Sequence, residues 1–177
     1  MDWLSADADE VAPALLGMRL ATRVDGAVTS VSITEVEAYL PDDPASHAFR
    51  GRTPRNTPMF EGPGIVYVYR SYGLHWCVNV VTGRLGSGQA VLVRAGLPLE
   101  GTETMIERRG RPDHLADGPG KLCQALGIDA GFNGTRLGER LELSGTPGTS
   151  RWFATSRIGI SAATEQLLRF VASPGAG

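Results

Sequence analysis

The run at positions 64–81, GIVYVYRSYGLHWCVNVV, constrains the fold more than any other part of the sequence. It contains two short segments rich in β-branched and aromatic residues, joined by the turn signal RSYG at positions 70–73. Such a pattern predicts a β-hairpin. Because the tip of a hairpin faces solvent, the ring of Tyr72 is predicted to stay unburied, and it needs an explanation other than core packing.

Short strand-like segments recur along the chain and favour an α+β fold. The tight-turn signal Asp25-Gly26 joins segments 18–24 and 28–39 into a second hairpin. Further strands are predicted at 90–95, 141–143, 152–160 and 168–172, and helices at 5–16, 98–109 and 118–127. Because the strands are joined by hairpins rather than helical crossovers, we expect one domain over residues 1–177, built on a mainly antiparallel curved sheet with a protruding β-hairpin and flanking helices.

The composition excludes several classes of protein and site. No apolar run approaches the roughly 20 residues needed to span a bilayer, and the chain starts with acidic residues, Asp7 and Asp9, where a secretory signal is basic. We therefore expect a cytoplasmic protein without a membrane partner. Cys77 and Cys123 lack a CxxC pattern, and the three histidines lack metal-ligand spacing. The expectation is two reduced, buried thiols and no metal site.

Arginine carries almost all of the positive charge of this chain. The formal net charge of -2 does not by itself indicate a polyanionic partner. However, Arg50, Arg52 and Arg55 lie close together in a long proline-containing loop at 41–63. The planar fork of arginine suits phosphate oxygens, so these residues are candidates for binding a phosphate backbone. A solvated surface loop is the simpler alternative.

Two carboxylates interrupt the apolar pattern of segment 28–39. Side chains alternate along a strand, so Val31 and Ile33 are predicted to share a face with Glu35 and Glu37. An acid that continues an apolar face either emerges into water or lies in a cleft where its charge has a partner. Arg94, in the middle of the strand-like segment 90–95, is a cation that equally requires an anion.

Five motifs occur in order along nearly the whole chain. They are EVEAY at 35–39, HAFRGRTPRN at 47–56 with MF at 59–60, YVYRSYGLHWCVN at 67–79, LVRAGLPLEG at 92–101 and DGPGKLCQALGI at 117–128. Together they resemble the alkyladenine (3-methyladenine) DNA glycosylases. The resemblance implies a base excision repair enzyme that rotates an alkylated or deaminated purine out of double-stranded DNA and hydrolyses its bond to deoxyribose. It further implies a monomer that acts on nucleoid DNA, and the hydrolysis needs no cofactor.

The resemblance also implies how the base is held. Tyr72 matches the wedge that enters the duplex and fills the gap left by the extruded base. Tyr39 and His47 match the positions on either face of the flipped base, and Tyr69 lines the same pocket. Asn79 matches the position that crowds the purine C2 edge and so penalises guanine. Core packing is the alternative interpretation for each of these aromatic residues. For Tyr67 and Trp76 it is the preferred interpretation.

The resemblance implies that Glu37 is the general base, which deprotonates water and stabilises the developing sugar cation. Arg94 matches the arginine that positions this water, with a backbone carbonyl near Ile158 as a third partner. For neutral damaged purines the leaving base also needs a proton, and either a protonated His47 or water could supply it. Because Lys121 is the only lysine, we expect a monofunctional enzyme without a lyase step.

Two other functions are compatible with the sequence. A catalytically inactive module could keep the wedge and pocket and mark lesions for other proteins, although Glu37 and Arg94 are both present. A carbohydrate hydrolase could use Glu35 and Glu37 as its acid pair, about 7 Å apart on one strand. That function leaves Tyr72 unexplained, and adjacent positions on one strand do not place two acids on opposite sides of a sugar.

Overall fold

One eight-stranded antiparallel sheet forms the centre of the computed structural model, which describes residues 2–173. The sheet curls, and its order is β3-β4-β5-β2-β1-β6, with β8 pairing with β2 and β7 pairing with β8. The predicted α+β fold is confirmed; residues 1 and 174–177 of the predicted domain lie outside the described part. The strands are β1 Arg19–Val24, β2 Ala27–Tyr39, β3 Val66–Ser71, β4 His75–Thr82, β5 Gln89–Glu100, β6 Leu141–Ser144, β7 Trp152–Thr155 and β8 Arg169–Ala172.

Three α-helices flank the sheet: α1 Ala8–Leu15, α2 Thr102–Arg109 and α3 Pro119–Leu126. Their buried residues join one apolar cluster with the buried face of β2. Short 3₁₀ turns occur at Asp2–Ser5, Thr57–Phe60 and Ala130–Phe132. Among residues 2–173, no helix has both the length and the apolar character that crossing a membrane requires.

Two predicted boundaries were wrong because long-range contacts override local pattern. The helix predicted from residue 98 begins only at Thr102, since β5 continues to Glu100 by pairing with the long strand β2. The strand predicted over 152–160 ends at Thr155, because the Arg157 side chain turns inward to an ion pair with Asp43. The loop between β7 and β8 is thereby brought to the same region as the end of β2.

A register shift in β2 corrects the predicted placement of the two carboxylates. Ile33 pairs with Gly96 and Glu35 pairs with Ala95, so one residue of β2 is bulged out of the ladder. An extra residue reverses which side chains face the core. Val31 and Ile33 before the bulge share the core with two residues after it, Val36 and Ala38. The prediction that Glu35 and Glu37 share the face of Val31 and Ile33 was therefore wrong, since both acids project from the opposite face.

The predicted hairpin at 64–81 is confirmed. β3 and β4 pair in continuous register, and at the tip the Leu74 N–H donates to the Ser71 carbonyl over 2.9 Å. The turn residues Tyr72 and Gly73 have positive φ angles of 49° and 68°. Glycine adopts this region freely, whereas an L-residue such as tyrosine is strained there. The chain thus holds a tyrosine in an unfavourable conformation at an exposed tip.

Candidate active site

A cavity of about 420 Å³ lies where the hairpin, the end of β2, the first half of β5, the 41–63 loop and the loop after β7 meet. Most of the predicted site residues line this cavity. They are Glu37, Tyr39, His47, Arg55, Tyr69, Tyr72, Asn79 and Arg94. Arg50 and Arg52 are not among its lining residues; both are exposed on the 41–63 loop, and Arg52 lies 3.9 Å from Glu61.

Glu37 is fully buried, and three groups contact its carboxylate. The Ile158 N–H donates to Oε1 over 2.8 Å, and the Tyr39 hydroxyl donates to Oε2 over 2.9 Å. Arg94 Nη1 lies 3.2 Å from Oε2 in an ion pair. Burying a charge without partners is very costly, so this set of contacts both compensates the charge and fixes the carboxylate in one orientation.

The ion pair continues to a second carboxylate. Arg94 Nε donates to Glu35 Oε1 over 2.8 Å, and Arg169 Nη1 donates to the same oxygen over 3.0 Å. Two arginines and two acids therefore alternate in a partly buried network. Glu35 binds Arg94 at Nε and Glu37 binds it at Nη1, which limits how the guanidinium can move.

Tyr39 contacts Glu37 through its hydroxyl and a cation through its ring. Burial raises the pKa of Tyr39 far above the ordinary value of 10.0, and the negative charge of Glu37 raises it further. The phenol therefore keeps its proton and donates it in the hydrogen bond to Glu37. The guanidinium carbon of Arg157 lies 4.8 Å from the centre of the Tyr39 ring, within the range of a cation–π contact.

Three aromatic residues form another wall of the cavity. The His47 ring meets Tyr69 edge-on with centroids 4.5 Å apart, and the Tyr67 and Tyr69 centroids are separated by 5.5 Å. Tyr67 is buried in a small apolar cluster, as the core-packing interpretation predicted, yet its hydroxyl lies 3.0 Å from His47 Nδ1. Burial raises the pKa of Tyr67 to about 12. The sequence did not predict that this tyrosine lines the cavity.

His47 is exposed at the cavity and has an electrostatic environment that disfavours its charged form. Partial desolvation lowers the pKa of His47 below its ordinary value of 6.5, and the nearby positive charge of Arg55 lowers it further. The neutral imidazole is thus the favoured form at pH 7. Its main chain is anchored as well, because Asn56 Nδ2 donates to the His47 carbonyl over 2.8 Å.

Asn79 lies on β4 in the cavity wall and is almost completely buried. Its Nδ2 donates to the Tyr67 carbonyl over 3.0 Å, across the β3–β4 ladder. This bond uses the amide to fix the side chain against the strand. A rigid polar group in the wall limits which ring edges can enter the cavity.

Tyr72 lines the mouth of the same cavity as Glu37 and Arg94 and is 88% exposed. The aromatic tip predicted from the hairpin therefore borders the same cavity as the buried ion pair. Sequence reasoning missed Arg157 and the Ile158 N–H contact, which reach the site across more than 100 residues of chain and have no local signal.

The cysteines and the possible metal ligands of the described residues also bear on the chemistry of the cavity. Cys77 lines the cavity, and both Cys77 and Cys123 are buried free thiols, as predicted. Burial raises the pKa of Cys77 above its ordinary value, so the thiol form is favoured. Across the described residues, no three His, Cys, Asp or Glu side chains form a group that could hold a metal ion.

Comparison with known proteins points to one family. Residues 2–175 match the family described as Methylpurine-DNA glycosylase (MPG). A protein of Rhodopseudomonas palustris, strain BisB18, is 49% identical over 164 residues, covering 91% of this chain and 80% of its own length. A protein of Methanoculleus marisnigri is 48% identical over 172 residues, covering 93% and 89%. A protein of Rubrobacter xylanophilus is 43% identical over 160 residues, covering 89% and 84%. All three carry the provisional name 3-methyladenine DNA glycosylase, and this chain belongs to the methylpurine-DNA glycosylase family.

Proposed function

We propose that the protein is a DNA glycosylase that flips alkylated or deaminated purines out of double-stranded DNA and hydrolyses their N-glycosidic bonds. One observation carries the proposal: the buried Glu37–Arg94 ion pair and the exposed Tyr72 ring border a single cavity. A wedge without a nearby catalytic carboxylate would serve binding alone. A catalytic carboxylate without a wedge would have no access to a base that is stacked in a duplex.

The proposed role of Tyr72 follows from its exposure. Extruding a nucleotide costs a few kcal/mol of lost stacking and pairing. A ring that enters the gap restores part of the stacking and thereby stabilises the extruded state. The tip is suited to this role because Tyr72 makes little use of its ring within the folded protein, where 88% of the residue stays exposed.

The cavity walls support binding of a flat purine. Tyr39 on β2 and His47 on the 41–63 loop supply the two faces between which we propose the base stacks. Electron-rich rings attract a base that carries the positive charge of alkylation. Asn79, fixed by its bond to the Tyr67 carbonyl, is proposed to crowd the C2 edge and penalise guanine.

Glu37 is the proposed general base. It accepts a proton from water as the water oxygen bonds to C1′ of the sugar, while the electrons of the N-glycosidic bond leave with the base. Its negative charge also stabilises the oxocarbenium-like transition state. Arg94 and the Ile158 N–H hold the carboxylate, and a backbone carbonyl near Ile158 remains our predicted third partner of the water.

The proton for a neutral leaving base is best supplied by water in this proposal. The lowered pKa of His47 favours a neutral ring at pH 7, which is poorly matched to the role of a cationic acid. We therefore propose His47 as a stacking and hydrogen-bonding surface for the base. An acid role for His47 would instead require a raised pKa.

A monofunctional reaction is supported by the position of the lysine. Lys121 Nζ lies 2.9 Å from Asp117 in an ion pair, and Lys121 is not one of the residues that line the cavity. A lyase step needs a free amine at the sugar to form a Schiff base. The proposed product is therefore an intact strand with an abasic site.

A carbohydrate hydrolase with Glu35 and Glu37 as its acid pair is disfavoured by the contacts of Glu35. One of these acids would have to hold a proton to protonate the leaving sugar oxygen. Glu35 Oε1 accepts hydrogen bonds from both Arg94 and Arg169, so this oxygen already has two partners within the protein. Glu35 is thus better placed to hold Arg94 than to act as a general acid.

Contact with the DNA backbone is proposed for the arginines of the 41–63 loop. Arg55 lines the cavity mouth, and its Nη2 donates to the Arg70 carbonyl on the hairpin over 3.3 Å. Replacing one phosphate-binding arginine by glutamine should lower the slope of log affinity against log salt by about 0.9. The variants are Arg50→Gln, Arg52→Gln and Arg55→Gln, with Arg23→Gln, an exposed residue of β1, as the control that should leave the slope unchanged.

The function is tested by incubating the protein with duplexes that each carry one modified purine, such as 3-methyladenine, 7-methylguanine, hypoxanthine or ethenoadenine. We expect release of the free base and strands that break only after alkali treatment. Strand breaks without alkali would contradict the monofunctional reaction. Tight lesion binding without any abasic site would favour the inactive lesion-binding module instead. We place this activity on nucleoid DNA in the cytoplasm, carried out by a monomer.

A further inference from the structure

We propose that Arg157, held by Asp43, is a positioning residue that sets both the orientation of Glu37 and the place of the Tyr39 ring. The proposal rests on the function assigned to Glu37 above. Arg157 lies in the loop between β7 and β8, and Asp43 lies in the 41–63 loop, other residues of which form another wall of the cavity. Neither residue lines the cavity itself.

The Arg157–Asp43 pair is the most deeply buried ion pair described in residues 2–173. The side chain of Arg157 is 0% exposed and that of Asp43 is 1% exposed. Both terminal nitrogens of Arg157 donate to the two carboxylate oxygens, with Nη2 at 3.0 Å from Oδ1. This forked geometry is specific to arginine, since the lysine ammonium acts as a single point charge.

The position of this buried charge links it to the site. Arg157 Nη1 also donates to the Ala38 carbonyl over 3.0 Å, between Glu37 and Tyr39 in the chain. Its guanidinium carbon lies 4.8 Å from the Tyr39 ring centre. The next residue in the loop, Ile158, supplies the N–H that bonds to Glu37 Oε1. Of the three groups that hold Glu37, the Tyr39 hydroxyl and the Ile158 N–H therefore depend on where Arg157 lies.

A contribution to stability alone does not explain why two charged side chains are buried here. Two buried charges lose their hydration, and their mutual attraction repays that loss only with good geometry, so an apolar pair of similar volume is often as stable. Arg157 Nε, moreover, is buried without a hydrogen-bond partner. What the ion pair supplies and an apolar pair lacks is a fixed cation behind Tyr39 and a fixed loop beside Glu37.

The first test compares Arg157→Lys with Arg108→Lys on a duplex that the wild type excises. Arg108 is also partly buried and bonded to carbonyl groups, but it lies outside the catalytic cavity. Because displacement of a reacting group by about 1 Å can cost about 100-fold in rate, we expect the single-turnover rate of Arg157→Lys to fall about 10- to 100-fold. Because Tyr39 also stacks on the base, the affinity of Arg157→Lys for the lesion duplex should fall as well, but by a smaller factor than its excision rate. Arg108→Lys should excise at the wild-type rate.

The second test removes the ion pair without leaving a lone buried charge. Arg157→Met combined with Asp43→Leu should fold with a melting temperature close to that of the wild type. We expect it to show the same loss of excision rate as Arg157→Lys. A folded double variant that excises at the wild-type rate would overturn the proposal, as would a loss in Arg157→Lys matched by Arg108→Lys. Failure of the wild type to excise any lesion would instead overturn the function assigned to the site.

Discussion

Replacing Tyr72 by glycine should weaken capture of lesions in duplex DNA without weakening the fold. Tyr72 is 88% exposed and has a φ angle of 49°. Removing the ring therefore gives up little buried area. Relief of the left-handed conformation is worth about 1–2 kcal/mol, and the greater freedom of glycine in the unfolded chain offsets about 0.5–1 kcal/mol.

The two terms give a net change in the free energy of unfolding between about 0 and +1.5 kcal/mol. For a chain of this size, 1 kcal/mol shifts the melting temperature by about 2–4 °C. We therefore expect Tyr72→Gly to melt at the same temperature as the wild type or a few degrees higher. Thermal unfolding followed by circular dichroism measures this directly.

The affinity of Tyr72→Gly for lesion-containing duplex DNA, in contrast, should fall. Stacking of an aromatic side chain on a base is worth about 1–3 kcal/mol, so the affinity for a lesion in duplex DNA should fall about 5- to 150-fold. The affinity for the same lesion in a single strand should change much less, because no gap needs filling. Tyr72→Phe keeps the ring and is the matched control, which should bind both substrates as the wild type does. Equal losses on duplex and single strand would rule out the wedge role of Tyr72. A melting temperature clearly below that of the wild type would rule out the relief of backbone strain.

Two further predictions concern the cavity and the core. His47 should titrate below 6.5 in the folded protein, and removing the positive charge with Arg55→Gln should raise its pKa, as followed by NMR of the ring protons. A lowered pKa in the folded protein means that the unfolded chain binds the His47 proton more readily. Protonation of His47 should therefore lower the free energy of unfolding as pH falls below 6.5. A His47 pKa above 6.5 in the folded protein would contradict this. Gly96→Ala places a Cβ within 2.6 Å of Val31 Cγ2 and should destabilise the fold by about 1–3 kcal/mol in urea unfolding. Gly118→Ala, with its nearest contact at 3.8 Å, should destabilise it less, through a poorer N-cap of α3 only. Equal stability of the two variants would contradict the packing argument.

Features set by neighbouring residues could be predicted from the sequence. The hairpin at 64–81 and the Asp25-Gly26 turn both follow from alternation and turn chemistry, and both form as expected. The exposure of Tyr72 follows in the same way, because a side chain at the tip of a hairpin has no core to pack against. These features need no knowledge of distant parts of the chain.

Features set by distant contacts could not be predicted. The bulge before Glu35 depends on pairing with β5, and it reverses the face on which Glu37 lies. The Ile158 N–H meets Glu37 across 121 residues, and Arg157 meets Asp43 across 114. No periodicity or turn signal encodes such contacts, since they arise only when the loops close over the sheet. The family resemblance named Glu37, but only the geometry explains how its buried charge is held.

We propose that Glu37 activates the water that cleaves the N-glycosidic bond. The most direct measurement is single-turnover excision by the wild type and by Glu37→Gln on one lesion duplex, with the affinity of both proteins for that duplex measured in parallel. Glutamine keeps the size of the side chain but cannot accept the proton of water. We expect Glu37→Gln to bind the lesion as the wild type does and to lose excision. Normal excision by Glu37→Gln would show that Glu37 is not the general base.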